Sequence, residues 1–267
     1  MRYYAIISLY LICNLPGQML KRERQAYIVH QVNLHNKVLS NSLCIEIDVS
    51  EDTIRRDLHE LSENGKLIRV HGGALSHSFN EITYPASKVY SQNNKKIIGD
   101  KAAKLIKDGM FVLTGGGTTI IELARSLPLS LSATFITGSI PAIVEYMNHP
   151  NIEVVVIGDK LSKNSKITLG ADALARISSL KPDLCFLGIN AIDLEHGVTD
   201  NDWDVVQLKQ AMINASQKTV CLTIAEKLNS FQPIQICKVR DIDILITELP
   251  PEDLLLQPYV KAGITVL

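Results

Sequence analysis

A small helical unit bearing a β-hairpin, followed by a larger α/β unit on a largely parallel sheet, is the fold class this sequence predicts. Three observations carry it. Between residues 21 and 63, short stretches of helical periodicity are separated by capping residues. From residue 95 onward, apolar runs of strand length alternate with helical runs. Between these regions lies Ser76-His-Ser-Phe-Asn-Glu-Ile-Thr-Tyr-Pro85, which is polar, aperiodic and proline-bearing, and reads as a linker.

The elements follow in chain order. Tyr3 to Leu15 is almost wholly apolar, too short to span a bilayer as a helix and followed by no A-x-A site. Residues 1–18 are therefore read as a start-site artefact ahead of a true beginning at Met19, or as a disordered or packed extension, with a membrane anchor the lesser alternative, and the segment is expected to be dispensable. Residues 21–35 are helical, with Ile28 and Val32 one turn apart. A second short helix over 41–47 sets Leu43 and Ile47 on one face, with Ser40 as its cap. A third helix begins after Ser50, a good N-cap, carries Glu51 and Asp52 in its first turn, and stops at Gly65. Within it Ile54, Leu58 and Leu61 recur at i, i+4 and i+7 and must face a core, which pushes Thr53, Arg55, Arg56 and His59 to other faces. Lys-Leu-Ile-Arg-Val70 then alternates like a strand and breaks at Gly72-Gly73. Three helices and a hairpin make residues 19–75 a winged helix-turn-helix, and 76–94 the linker.

Residues 95–267 form the α/β unit. Helices are expected at 95–107, 119–127, 140–148, 171–178 and 205–215, and strands at 110–113, 133–137, 152–157, 184–188, 219–224 and 243–247. The runs Ile-Glu-Val-Val-Val-Ile157, Leu-Cys-Phe-Leu187 and Ile-Leu-Ile246 are continuously apolar, the mark of strands buried on both faces of a parallel sheet.

Composition narrows the function classes. The 267 residues carry 27 basic and 28 acidic side chains, so no global polycation drives nucleic-acid binding, and any DNA contact must come from a local surface. Even residues 19–75 hold eight residues of each sign. The five cysteines, at 13, 44, 185, 221 and 237, form no CxxC pair or metal-spaced cluster. With Cys185 and Cys221 inside apolar runs, they fit buried thiols in a reducing, cytoplasmic compartment. No metal or cofactor motif is present.

Two regions carry chemistry. A capped helix over Ser50–Leu61 can present Thr53 and Arg56 to base edges, while Arg55 or Ser50 takes phosphates. Arg69, His71 and the Gly72-Gly73 pair place a positive wing beside it. The competing reading is an exposed charged helix with i, i+4 pairs, which leaves the ordered cap, turn and wing unexplained. In the second unit, Thr114-Gly-Gly-Gly-Thr-Thr119 links a strand to a helix start. There the amides of Gly116 and Gly117 and the hydroxyls of Thr118 and Thr119 can bind an anion. It is neither a Walker loop nor GxGxxG. Thr137-Gly-Ser139 makes a second polar turn at the same sheet edge. Lys227 can add a cation or be merely solvated; Asp193 can accept sugar hydroxyls or merely shape a turn.

The run VSEDTIRRDLHELSENGKLIRVHGGA resembles the N-terminal signature of the DeoR family of bacterial repressors. The resemblance continues through Lys95-Lys-Ile-Ile-Gly99, the Gly-Thr-Thr119 turn, Phe186-Leu-Gly188 and Gly197-Val-Thr199, and covers Met19 to about Thr247. It implies a homo-oligomer, dimer or tetramer, that binds double-stranded operator DNA of a carbohydrate operon and answers to a phosphorylated small-molecule effector. It also implies a sensor domain resembling ribose-5-phosphate isomerase, and Lys95 as part of the effector site. Four departures cluster there. Gly115 stands where the family has an acid, Gly138 where it has Asn, Gly158-Asp159 for Gly-Gly, and Ala225-Glu-Lys227 for Asp-x-Lys. The alternatives are a sugar-phosphate isomerase or deaminase, which needs a carboxylate base, and a dinucleotide sensor, which wants an acid where Thr137 stands. The expectation is a regulator and not an enzyme.

Overall fold

The computed structural model describes residues 19–77 and 89–267, in two units divided near residue 81. The expected extension over 1–18 and most of the expected linker lie outside the described residues.

The first unit packs three helices on a small sheet. Helix α1 spans Lys21–His35, strand β1 Lys37–Leu39, α2 Ser40–Ile47, α3 Glu51–Glu63, β2 Ile68–Val70 and β3 Gly73–Leu75. Its core includes Ile28, Val32, Leu43, Ile47, Ile54, Leu58 and Leu61, the residues whose periodicity pointed inward, and adds Tyr27, Val38, Leu67 and Ala74. The expected hairpin gains a third strand, because β1 pairs antiparallel with β3 and gives the order β1-β3-β2. Ser40 is not the cap of α2. It is the first helical residue, behind Leu39, and its amide donates to the Gly72 carbonyl at 2.8 Å, tying the helix start to the wing.

One polar contact sits inside this apolar unit. Asp57, 2% exposed, faces inward from α3 and accepts hydrogen bonds from Arg24 Nε and from Gln25 Nε2 (3.1 Å) on α1. A buried carboxylate needs this pairing to offset its desolvation.

In the second unit, α4 (Gln92–Ala103), β4 (Phe111–Thr114), α5 (Thr118–Arg125), β5 (Ala133–Thr137), α6 (Ile140–Met147) and β6 (Ile152–Val156) build one half. A hairpin, β7 (Lys160–Ser162) and β8 (Ile167–Leu169), leads through α7 (Ala171–Ser178) to β9 (Leu184–Gly188). Then come β10 (Ala191–Asp193), β11 (Gly197–Asp200), α8 (Trp203–Ala215), β12 (Thr219–Leu222), β13 (Ile234–Cys237), β14 (Ile244–Ile246), α9 (Gln257–Lys261) and β15 (Thr265–Val266). Seven strands form one sheet in the order β15-β14-β12-β9-β4-β5-β6, every neighbouring pair parallel. Chain order reverses between β4 and β9, the kind of switch point at whose carboxyl edge open α/β sheets bind ligands.

Three expectations change. Helix α4 starts at Gln92, inside the expected linker, and ends at Ala103, short of residue 107. Strand β6 is not buried on both faces: it is the outer strand of the sheet, and Val155 and Val156 are exposed. The antiparallel sheet β10-β11-β13 and the β7–β8 hairpin were not expected at all. Cys185 and Cys221 are buried, as their apolar runs suggested. Among the described residues, no helix is long and apolar enough to cross a membrane.

Removing one partner of a buried ion pair strands the other. Asp57→Ala is expected to destabilise the first unit by about 3–5 kcal/mol, whereas Asp57→Asn, which keeps one acceptor oxygen for Arg24 and loses the one for Gln25, costs less. Calorimetry of the full chain should show a separate early transition for Asp57→Ala only.

Candidate functional site

Helix α3 is presented by its cap. Ser50 Oγ accepts from the Thr53 amide at 3.3 Å and shares a 2.9 Å hydrogen bond with the Thr53 hydroxyl, so both side chains are engaged at the helix start. Arg55 and Arg56 project outward, 68% and 80% exposed, and both guanidiniums reach back to Asp52. Exposed pairs of this kind contribute about 0–1 kcal/mol, so either arginine can exchange Asp52 for a phosphate or a base edge at little cost. Arg69, His71 and Gly72 are exposed on the wing.

The wing's two glycines do different jobs. Gly72 turns the chain at φ 76° with open space around its α-carbon. Gly73 packs so tightly on β1 that a β-carbon would stand 2.0 Å from the Val38 carbonyl oxygen. Its role is sheet closure.

In the second unit the two polar turns meet. Thr137 Oγ1 donates to the Thr114 carbonyl at 2.9 Å and accepts from the Ser139 amide at 3.1 Å, which fixes the end of β5 against β4. A β-carbon on Gly116 would lie 3.6 Å from Ser139 Oγ. Gly117, at φ 106°, turns the chain into α5, placing Thr118 and Thr119 in its first turn, both buried. Thr137 is wholly buried and its hydroxyl is spent on this lock.

Gly138 has a packing reason. The β7–β8 hairpin lays Thr168 on this turn, where its hydroxyl donates to the Gly138 carbonyl at 3.1 Å and to that of Ile157. A β-carbon on Gly138 would come within 2.6 Å of that hydroxyl. An asparagine does not fit while Thr168 is there.

Across the switch point stand the cations. Lys227 is buried, not solvated, and donates to the Ile189 carbonyl (3.3 Å) and Asn190 Oδ1 (3.4 Å) beyond β9. Lys95, from α4, is also buried and donates to the Tyr90 carbonyl at 2.7 Å. Neither ammonium touches a carboxylate among the described residues. Burial draws Lys95 down to about 8, against the pull of Glu122 and Glu226. Burial, then the charges of Lys95 and Lys209, draw Lys227 down to about 7, with Asp200 and Glu226 opposing.

Sequence reading missed the shell behind Lys227. Asn190 Nδ2 donates to Asp200 Oδ1 at 2.9 Å, and Lys209 Nζ to Asp200 Oδ2 at 2.8 Å. Burial pushes the Asp200 carboxyl upward, but the Lys209 charge and the bonds from Lys209, Asn201 and Asn190 hold it below its ordinary value. No local motif joins these residues; the β11–β13 sheet and α8 bring them together. Asp193 ends β10, where it accepts from the His196 amide and from Nδ1 of the His196 ring.

Comparison with known proteins decides the family. The DeoR-like helix-turn-helix domain matches residues 24–79, and the DeoR C terminal sensor domain matches residues 90–249. The chain belongs to the DeoR family. It is similar to the HTH-type transcriptional regulator GlpR of Haloferax volcanii, 32% identical over 93% of this chain and 98% of that protein. It is similar also to the transcriptional repressor GlcR of Bacillus subtilis, 30% identical over 93% and 96%. The glycerol-3-phosphate regulon repressor of Haemophilus influenzae is 29% identical over 91% and 95%. Among solved structures, ribose 5-phosphate isomerase A of Methanocaldococcus jannaschii matches 52% of this chain and 55% of its own at 19% identity and a TM-score of 0.39, too loose to carry an argument. As a DeoR-family member the chain is a transcriptional regulator, and the two regions singled out by sequence fall one in each matched domain.

The buried lysine of this DeoR sensor domain carries a pH signature. Unfolded, Lys227 keeps its proton up to its ordinary 10.5; folded, it gives it up near 7. Between those values the unfolded chain binds the extra proton, so stability rises with pH. Lys227→Met should lower that slope by close to one proton, roughly 1.4 kcal/mol per pH unit. Urea denaturation at pH 7.5 and 9 checks it, and parallel slopes in wild type and variant would count against the buried lysine.

Proposed function

We propose that this protein is a DNA-binding repressor of a carbohydrate-metabolism operon, controlled by a phosphorylated sugar or related metabolite. The observation that carries the reading is the pair of buried lysines, Lys95 and Lys227, which lie close enough for their charges to interact and hydrogen-bond among the described residues only to neutral acceptors. The nearby Glu122, Glu226 and Asp200 make no direct contact with them, and a dianionic phosphate held with the amides of Gly116 and Gly117 and the hydroxyls of Thr118, Thr119 and Ser139 would offset the cost of charging both. The name of one relative, the glycerol-3-phosphate regulon repressor of Haemophilus influenzae, supports the same class.

In this reading Ser50, Thr53, Arg55 and Arg56, with Arg69, His71 and Gly72 on the wing, meet operator DNA. Asp193 serves the turn, and Thr137 serves the site only by holding Ser139. The protein is a homo-oligomer, dimer or tetramer, matching the symmetry of an operator with paired half-sites. It is not an enzyme. Isomerisation needs a carboxylate base, and at Gly115 a side chain would point onto Leu187 and Met212, which are apolar.

Thermal-shift screening against sugar phosphates tests the effector class directly, since a ligand that binds the folded state raises the melting temperature. Thr118→Glu places a negative charge where the phosphate would sit. It should leave operator affinity unchanged and abolish the response to any hit. A Thr118→Glu protein that responds at the wild-type concentration would move the effector elsewhere. Arg56→Ala, more than Arg55→Ala, should relax base preference at one operator position by about 1–3 kcal/mol. Uniform weakening across operator variants would make Arg56 a phosphate contact instead.

A further inference from the structure

Among the described residues of the sensor unit, Lys95, Lys209 and Lys227 are buried, and of these Lys209 alone bonds to a carboxylate, that of Asp200 at 2.8 Å. Lys95 Nζ donates to the Tyr90 carbonyl at 2.7 Å, and Lys227 Nζ to the Ile189 carbonyl at 3.3 Å and Asn190 Oδ1 at 3.4 Å. An ammonium has three donors, so each of these two lysines can take an anion and keep its present acceptors. The Lys227 contacts are long: Lys101, which also bonds to two neutral oxygens, stands 2.8 and 2.7 Å from its carbonyls. Charge-assisted bonds are short ones, and Lys227 holds its proton with little help. The carboxylates of the neighbourhood are engaged elsewhere. Glu226 accepts from the Tyr90 hydroxyl at 2.5 Å, Glu122 pairs with Arg125 at 2.8 Å, and Asp200 takes Lys209 and Asn190. Lys227 is tied to the glycine turn through β9: it bonds one residue past Gly188, where a β-carbon would stand 2.9 Å from the Gly116 carbonyl oxygen. Lys95 is faced by Glu122, one turn along α5 from Thr118.

We propose that the anion site is proton-coupled: Lys227 takes up a proton from solvent as a dianion binds, so the regulator answers to pH together with its effector. The inference rests on the anion-site reading above and adds to it the charge state in which the site fills. Lys227 is faced by Lys95 on α4, Lys209 on α8, Asp200 on β11 and Glu226 beside it. Lys95 is faced by Glu122 on α5 and by Glu226, and the Tyr90 ring lies 5.9 Å from its ammonium. Burial, then the charges of Lys95 and Lys209, draw Lys227 down to about 7, and burial draws Lys95 down to about 8. Above those values the amines are neutral until a negative charge arrives. A dianion beside them favours the charged form of each. One proton therefore enters with the anion for Lys227, a fraction of a second enters for Lys95, and nothing leaves. By linkage, affinity falls as pH rises through this range, about tenfold per pH unit for each proton taken up.

Calorimetric titration of the full chain with inorganic phosphate, in buffers of different ionisation enthalpy, counts the protons. Between pH 8 and 9 phosphate is already a dianion, so the protons counted belong to the protein. Phosphate should bind with uptake of about one proton or more at pH 8, and its affinity should fall about tenfold or more between pH 8 and 9. Lys227→Met should bind phosphate more weakly and take up about one proton fewer, a change that a lysine buried only for packing would not produce. If phosphate binds with less than about half a proton and an affinity flat from pH 8 to 9, the coupling is wrong and the anion site stands. If Lys227→Met keeps the wild-type uptake, the proton goes to another group and the assignment to Lys227 is wrong. If phosphate binds neither at pH 7 nor at pH 8 at saturating concentration, the anion site is wrong and the coupling falls with it. Should the variant fail to fold, the wild-type titration still decides the coupling, because carboxylates take up no protons at pH 8 to 9.

Discussion

Two lysines buried inside a protein, each hydrogen-bonded among the described residues to neutral acceptors, constrain everything near them. Lys95 and Lys227 come from elements far apart in sequence, the start of α4 and the turn after β12, yet lie close enough for their charges to interact. The sheet sets β4 between β5 and β9, and chain order reverses between β4 and β9. Carbonyls of Tyr90 and Ile189 and the amide oxygen of Asn190 are the only direct acceptors these lysines have among the described residues. Neutral acceptors solvate a charge without cancelling it.

The remaining polar groups serve that arrangement. Thr137 closes β5 onto β4, Thr168 seats the hairpin on Gly138, and the Asn190–Asp200–Lys209 relay holds the group that Lys227 touches. The first unit divides labour in the same way. Asp57 on the inner face of α3 is bound to α1, while Arg55 and Arg56 on the outer face hold only a weak intrahelical pair with Asp52. The inner contact fixes the helix, and the outer contacts are cheap to exchange. Regulation by such a chain needs both properties at once, a rigid frame and a few interactions that a ligand or a phosphate can outbid.

Much of this was legible in the residues. The periodicity of Ile54, Leu58 and Leu61, the Ser50 cap and the glycine stops gave the winged unit nearly to the residue, because helix caps and amphipathic spacing are local physics. Alternating apolar runs gave the parallel sheet, and the Thr118, Thr119 and Ser139 turns were visible as strand-to-helix junctions. Other features had no local signal. Val154, Val155 and Val156 look the same whether a strand is central or outermost, since only neighbours decide exposure. Gly73 reads as a turn residue until Val38 is seen against it, and Gly138 as a departure until Thr168 is.

What the sequence alone determined, then, is which segments form helices, strands and capped turns, because those preferences are written within a few residues of each other. The family signature over Val49–Ala74 belongs to the same class of information. What only the tertiary structure decided is which of these turns share a site. Lys95, Tyr90, Glu226 and Lys227 are brought together by strand order, and so are Asn190, Asp200 and Lys209. Strand order depends on how helices of a given length cross a twisted sheet and bury their apolar faces, a balance struck over the whole unit. The burial that lowers the proton affinity of Lys227 is a consequence of that balance and has no counterpart in the residues around position 227.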